Sequence, residues 1–161
     1  PVAAIALFAI FLTTDEYGDG GDVVPYWRLF YLITWSVKDR LPLIEPEWKA
    51  RLYAALGAKA RDLGAKVHAI GGTADHMHMA LSVPPSVALS RVVGQLKGSS
   101  AHFVNHELGL DHHFSWQSSF GIVSFGERSL PMVVRYIHNQ EEHHGQGNTH
   151  SLFERDGDSA P

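Results

Sequence analysis

The sequence contains no cysteine. That excludes a disulfide framework, thiolate metal sites and cysteine nucleophiles, and it fits a reducing compartment such as the cytoplasm. There is no apolar run long enough to span a bilayer. The longest, Val2 to Leu12, is too short, and no basic residue precedes it as a secretory signal would require, so no membrane partner is expected. Internal repeats and low-complexity segments are absent as well. Neither sign of charge dominates, the formal net charge being −4. The acids gather at the ends: residues 1–24 hold four and no Lys or Arg, and residues 151–161 hold three against one base. Residues 25–150 carry 12 Lys and Arg, 10 Asp and Glu, and all 11 histidines. A mildly positive centre is compatible with nucleic acid but is no signature of it.

What is present is 161 residues, 45% of them apolar, enough for one domain with a real core. Val2 to Leu12 reads as an appended strand or a loosely held arm. The acidic, glycine-rich stretch from Thr13 to Asp22 reads as a linker. Residues 1–24 are thus an N-terminal arm, 25–146 the domain proper and 147–161 a C-terminal tail. Trp27 to Val37, aromatic, β-branched and apolar on both faces, suits a central strand. Pro46 opens a helix whose apolar residues Trp48, Leu52, Leu56 and Leu63 recur at helical spacing until Gly64. Ala65 to Thr73 and Asp75 to Val83 read as two strands joined near Gly71-Gly72. Pro84-Pro85-Ser86 caps a helix running to about Glu107. Phe114 to Phe125 predicts a strand bent at Gly121, and Ser129-Leu130-Pro131 starts a last helix ending at Gly145. The order strand, helix, strand, strand, helix, strand, helix predicts an α+β fold: a ferredoxin-like antiparallel sheet with helices packed on one face.

Two short motifs carry chemistry. In Asp75-His76-Met77-His78, residues two apart on a strand face the same way, so His76 and His78 share a face with Ala80 while Met77, Met79 and Leu81 point into the core. Two imidazoles at this spacing can bind one divalent ion. In a chain this rich in histidine, a His-x-His pair is by itself weak evidence. Asp75 can orient a ligand histidine or simply form the turn. In Tyr136-Ile137-His138-Asn139-Gln140, the phenol and the amide lie about 40° apart on one flank of a helix whose apolar stripe is Leu130, Val133, Val134 and Ile137. His143 shares that flank. Most helix tyrosines are only half-buried with a wet hydroxyl. Together, however, the motifs supply metal ligands and a nucleophile, the set that metal-assisted phosphoryl transfer through a tyrosine needs. Lys97, Ser99 and Ser100 offer a cation and two hydroxyls to a phosphate, or form a solvated helix bend. Trp116 and Phe120 can stack on unpaired bases or pack in the core. His112-His113 and His143-His144 read as surface histidines near element ends.

The blocks PYWRLFYLITWSVKDRLPLI, DHMHMALSVPPS, LKGSSAHFVN, WQSSFG and VVRYIHNQEEHH, in this order over about residues 25–146, resemble the single-tyrosine HUH transposases. These are the small transposases of insertion sequences and their REP-associated relatives. The resemblance implies an HUH endonuclease fold with metal ligands at His76 and His78, a third at Gln140, and Tyr136 as the nucleophile. It implies cleavage and rejoining of single-stranded DNA beside hairpins through a 5′-phosphotyrosine link, with Mg²⁺ or Mn²⁺. It also implies a homodimer, in which the tyrosine of one chain docks on the other chain's histidines in at least some states. Two other classes compete: a non-catalytic protein of the same fold that binds nucleic-acid hairpins, and a small metal hydrolase unrelated to DNA.

Overall fold

In the computed structural model, residues 26–140, 151 and 153–157 are described. The arm Val2 to Leu12, His143 and the expected helix end at Gly145 lie outside them. The elements are β1 (Phe30–Ser36), α1 (Pro46–Asp62), β2 (Lys66–Gly72), β3 (His76–Ser82), α2 (Leu89–Glu107), β4 (Gly121–Phe125) and α3 (Leu130–His138). This is the expected order. The strands form one antiparallel sheet in the spatial order β2-β3-β1-β4, the arrangement of a ferredoxin-like α+β fold. No helix among the described residues is long and apolar enough to cross a membrane.

The period of two sorts the side chains of the central strands between two layers. Ile33 and Trp35 of β1 and Val37 just after it enter the main core, joined by Met77, Met79 and Leu81 of β3 and by buried residues of α1 and α2. The other face carries Leu32, Thr34 and Ser36 of β1 and His76, His78 and Ala80 of β3. There Leu32 and Ala80 join Ala69, Val133, Tyr136, Ile137 and Phe153 in a second, smaller cluster. The helices therefore do not all share one face: α1 and α2 cover one side, and α3 covers the other. Gly71 of β2 makes this docking close. A Cβ there would lie 2.8 Å from Ile137 Cγ2, with the Ile137 carbonyl oxygen closer still.

The strand expected over Phe114 to Phe125 is shorter. Only Gly121–Phe125 pairs along β1, and Trp116 makes an isolated bridge to Val37. The reason lies in α2. Lys97 Nζ donates to the carbonyls of Gln117, Ser118 and Ser119, and Asn105 holds both the N–H and the C=O of Phe114 at 2.7 Å. Backbone groups engaged by side chains cannot join a ladder. Likewise α2 begins at Leu89 with Ala88 as its cap residue, because Pro84 to Val87 closes a separate turn through Val87 N–H to Pro84 C=O at 3.0 Å.

Candidate active site

The site lies on the α3 side of the sheet. Strand β3 presents His76 and His78 there, both essentially buried, with ring centroids 4.9 Å apart. The neighbouring strand fixes the tautomer of His78, and the turn before β3 engages His76. Register places Thr34 opposite His78 and Ser36 opposite His76. Thr34 Oγ1 donates to the carbonyl of Phe153 at 2.8 Å, so its oxygen accepts from His78 Nδ1 at 3.0 Å. His76 Nδ1 lies 2.7 Å from Asp75 Oδ1 and 2.8 Å from Thr73 Oγ1. In both rings the Nδ1 atom is engaged and Nε2 is directed at the centre of the site. The outer groups thereby set which nitrogen is available as a ligand.

Tyr136 reaches this centre from α3. Its ring meets His78 edge-on at 6.1 Å between centroids and packs on Phe153 at 5.1 Å. Its hydroxyl donates to Glu154 Oε1. The same carboxylate lies 3.3 Å from His76 Nε2 and 3.6 Å from His78 Nε2. One ligand atom from each of His76, His78 and Glu154 falls within 4.8 Å of the others, a group able to hold a metal ion. Gln140 is buried on the turn after Tyr136. Its amide donates to the Tyr136 carbonyl at 3.5 Å, and its Oε1 has no hydrogen-bond partner among the described residues. It lines a cavity with Lys49, Tyr53 and Gly72 at the β2 edge of the site.

The electrostatics follow from this crowding. Burial alone would push the His76 imidazole down, but hydrogen bonds and charge from Asp75 and Glu154 raise it to about 9. Burial would raise both carboxyls, yet each ends well below the usual range. For Asp75 the causes are the hydrogen bonds from His76 and Thr73 and the His76 and Arg40 charges. For Glu154 they are the facing His76 and His78 Nε2 atoms, the His78 charge and the Tyr136 hydroxyl. The pocket thus places positive charge between two carboxylates, the balance a bound cation would meet.

Four expected DNA contacts lie elsewhere. Ser100 is buried, bonding to the Leu96 carbonyl at 2.7 Å and accepting from Trp116 Nε1 at 2.9 Å. The Trp116 ring meets Phe114 and Trp35 edge-on. Ser99 bonds back to Leu96, and Lys97 holds the 117–119 carbonyls. All four belong to the α2 side of the sheet, away from the histidines. His112 and His113 are exposed. Conversely, sequence reasoning did not find Glu154, which lies in the stretch read as tail. The signal available was thin: one aromatic-acid pair, Phe153-Glu154, in a polar run. Thr34 and Ser36 were more legible, as two hydroxyls at period two within an apolar strand. The constellation also assembles within one chain.

Comparison with known proteins agrees with this architecture. Residues 25–140 match the family model described as transposase IS200 like. The ISDra2 transposase TnpA of Deinococcus radiodurans is 28% identical over 121 residues, spanning 72% of this chain and 86% of that protein. A crystal structure of a candidate transposase from Deinococcus radiodurans superposes with a TM-score of 0.57 at 26% identity, covering 76% of this chain and 98% of that one. A REP-associated tyrosine transposase bound to a REP hairpin shares the fold, with a TM-score of 0.55 at 18% identity over 81% of this chain and 76% of that one. The chain belongs to the IS200-like transposase family.

Proposed function

We propose that the protein cleaves and rejoins hairpin-flanked single-stranded DNA by phosphoryl transfer through Tyr136, with Mg²⁺ or Mn²⁺ held by His76 and His78. One observation carries this reading: a phenol and two imidazole Nε2 atoms converge on a single carboxylate. A tetrahedral phosphate asks for the same neighbours. The donor set fits a divalent ion, since two buried imidazoles have their Nδ1 atoms already committed. Gln140 Oε1, a buried acceptor without a partner among the described residues, is the proposed third ligand. When bound, the ion polarises the scissile phosphate and offsets its charge.

The chain's own groups do the rest. Tyr136 Oη attacks phosphorus, forming a new O–P ester, while the bond from phosphorus to the 3′ oxygen breaks. The leaving oxygen takes a proton and becomes a 3′-hydroxyl, and the phenolic proton passes to solvent. A protonated phenol is a poor nucleophile, so alignment supplies much of the rate. Packing on Phe153 and on the edge of His78 fixes the ring for that purpose. The 5′-phosphotyrosine conserves the ester bond, so a 3′-hydroxyl from another strand can reverse the reaction and join DNA. Asp75 positions His76 through its 2.7 Å contact with Nδ1. The proposed assembly is a homodimer in the cytoplasm. Incubating labelled hairpin DNA with Mn²⁺ and resolving the products on a denaturing gel tests the reading. A covalent adduct that disappears in Tyr136→Phe supports it. Hairpin binding without an adduct would instead favour a non-catalytic binding protein.

A further inference from the structure

Residues 153–157 lie across the sheet face that carries the histidines, and their two carboxylates meet two separate sets of donors. Glu154 sits at the convergence of Tyr136, His76 and His78. Asp156, two residues on, is buried, and its Oδ2 accepts from Ser36 Oγ and, at 2.8 Å, from Arg40 Nη2. Ser36 is also buried and stands opposite His76 in the β1–β3 register, so its hydroxyl emerges beside the imidazole. Arg40 is aimed there by an unusual backbone. Asp39 and Arg40 are consecutive non-glycine residues in the left-handed region, at φ 57° and 54°, a conformation that a Cβ disfavours and that persists only where surrounding structure holds it. Here Arg40 N–H bonds to Val37 C=O at 3.0 Å, and Val37 N–H bonds to Asp75 C=O at 2.7 Å. Asp75 links the two sets, with Oδ1 on His76 and Oδ2 3.6 Å from Arg40 Nη1.

We propose that Ser36 and Arg40 form a second phosphate subsite, which takes the backbone phosphate next to the one attacked by Tyr136, and that Asp156 and Glu154 hold the two subsites until a strand enters. The first subsite rests on the function proposed above; the second rests on Ser36, Arg40 and Asp156. The chemistry suits the ligand: a guanidinium and a hydroxyl on one anionic oxygen are the donors that phosphate contacts commonly draw on. The spacing agrees too. Six covalent bonds separate the Cα atoms of alternate residues, and six separate successive phosphorus atoms in a nucleic-acid strand. The sheet is also shaped to seat this segment. A Cβ at Gly121 would lie 2.9 Å from the Arg155 carbonyl carbon, with the carbonyl oxygen closer.

Fluorescence anisotropy of a labelled oligothymidine in EDTA tests this on the full chain, without cleavage. Glu154→Gln with Asp156→Asn should tighten binding about tenfold, as expected if the occupied form holds roughly nine-tenths of the population. Gly121→Ala keeps both carboxylates but denies the segment its seat, and it should tighten binding as well. In the Glu154→Gln, Asp156→Asn background, Arg40→Gln should reduce the slope of log affinity against log salt by about 0.7, one phosphate contact on a single strand. Arg40→Lys should keep the slope, and Ser36→Ala should weaken binding without changing it. Unchanged affinity in both the double variant and Gly121→Ala would overturn the proposal, as would an unaltered slope in Arg40→Gln. Glu154→Gln that abolished the Mn²⁺-dependent adduct with no gain in DNA affinity would also overturn it, marking Glu154 as an essential ligand. An adduct in the unsubstituted protein without tightening in the variants would sink this inference and leave Tyr136 chemistry standing. Absence of both adduct and binding would sink both.

Discussion

Gly71→Ala tests whether the seat of α3 on the sheet sets the chemistry. The added methyl would lie 2.8 Å from Ile137 Cγ2 and 3.1 Å from its carbonyl carbon, with the carbonyl oxygen nearer still. Ordinary carbon contacts begin at about 3.5 Å, so the helix must shift by roughly 1 Å. Overpacking of this kind costs about 1–3 kcal/mol. At about 2–4 °C per kcal/mol for a domain of this size, the melting temperature should fall by roughly 2–12 °C. Tyr136 precedes Ile137 and moves with it. A misplacement of about 1 Å at the reacting atom should slow adduct formation on the order of 10²-fold. Gly94→Ala is the control. Nothing lies within 4 Å of its would-be Cβ, and an alanine inside α2 should stabilise by roughly 0.5–1 kcal/mol. Thermal melts and single-turnover adduct gels read both effects. A Gly71→Ala protein that melts with the unsubstituted one and forms adduct at the same rate would refute the argument.

Tyr136→Phe should abolish the covalent adduct with little change in stability, because the ring still packs on Phe153; an adduct that survives would mean another nucleophile. His76→Ala with His78→Ala should remove both cleavage and Mn²⁺ binding, and Gln140→Ala should do less, since a neutral amide is the weaker ligand; isothermal titration of Mn²⁺ checks both. The proton that His76 holds up to about 9 must leave when a cation binds. Apparent Mn²⁺ affinity should therefore rise with pH, by up to about tenfold per unit below that value, and level off above it. Calorimetry in buffers of different ionisation enthalpy would detect the released proton, and a pH-independent affinity would contradict the assignment. Mixing Tyr136→Phe with the double histidine variant under subunit exchange should recover no adduct, because Tyr136 sits on the histidines of its own chain; recovery would show that active sites are shared between subunits.

The alternation in the segment from His76 to Leu81 was readable without coordinates. A strand's period of two puts imidazoles on one side and Met77, Met79 and Leu81 on the other, and the described core follows that division. The element order and the placement of Tyr136 on the last helix were readable for the same reason, since local backbone geometry sets them; that helix closes at His138, with Asn139 as its cap, so Gln140 follows it rather than sharing it. Side-chain capture of backbone groups was not. Lys97 and Asn105 take the 114–119 segment out of the expected strand across a distance in sequence that no periodicity reports. The face chosen by α3 depends on the absence of a Cβ at Gly71, and that matters only once Ile137 is packed against it. Tertiary structure alone decided that β1 lies between β3 and β4, which brings Thr34 and Ser36 beside the histidines. It also brought Glu154 and Asp156 back from the far end of the chain to that same face. Periodicity is imposed residue by residue by the backbone. The meeting of distant residues is decided by which apolar surfaces bury one another, and for residues 153–157 that was settled by the seat of Phe153 between Tyr136 and the sheet.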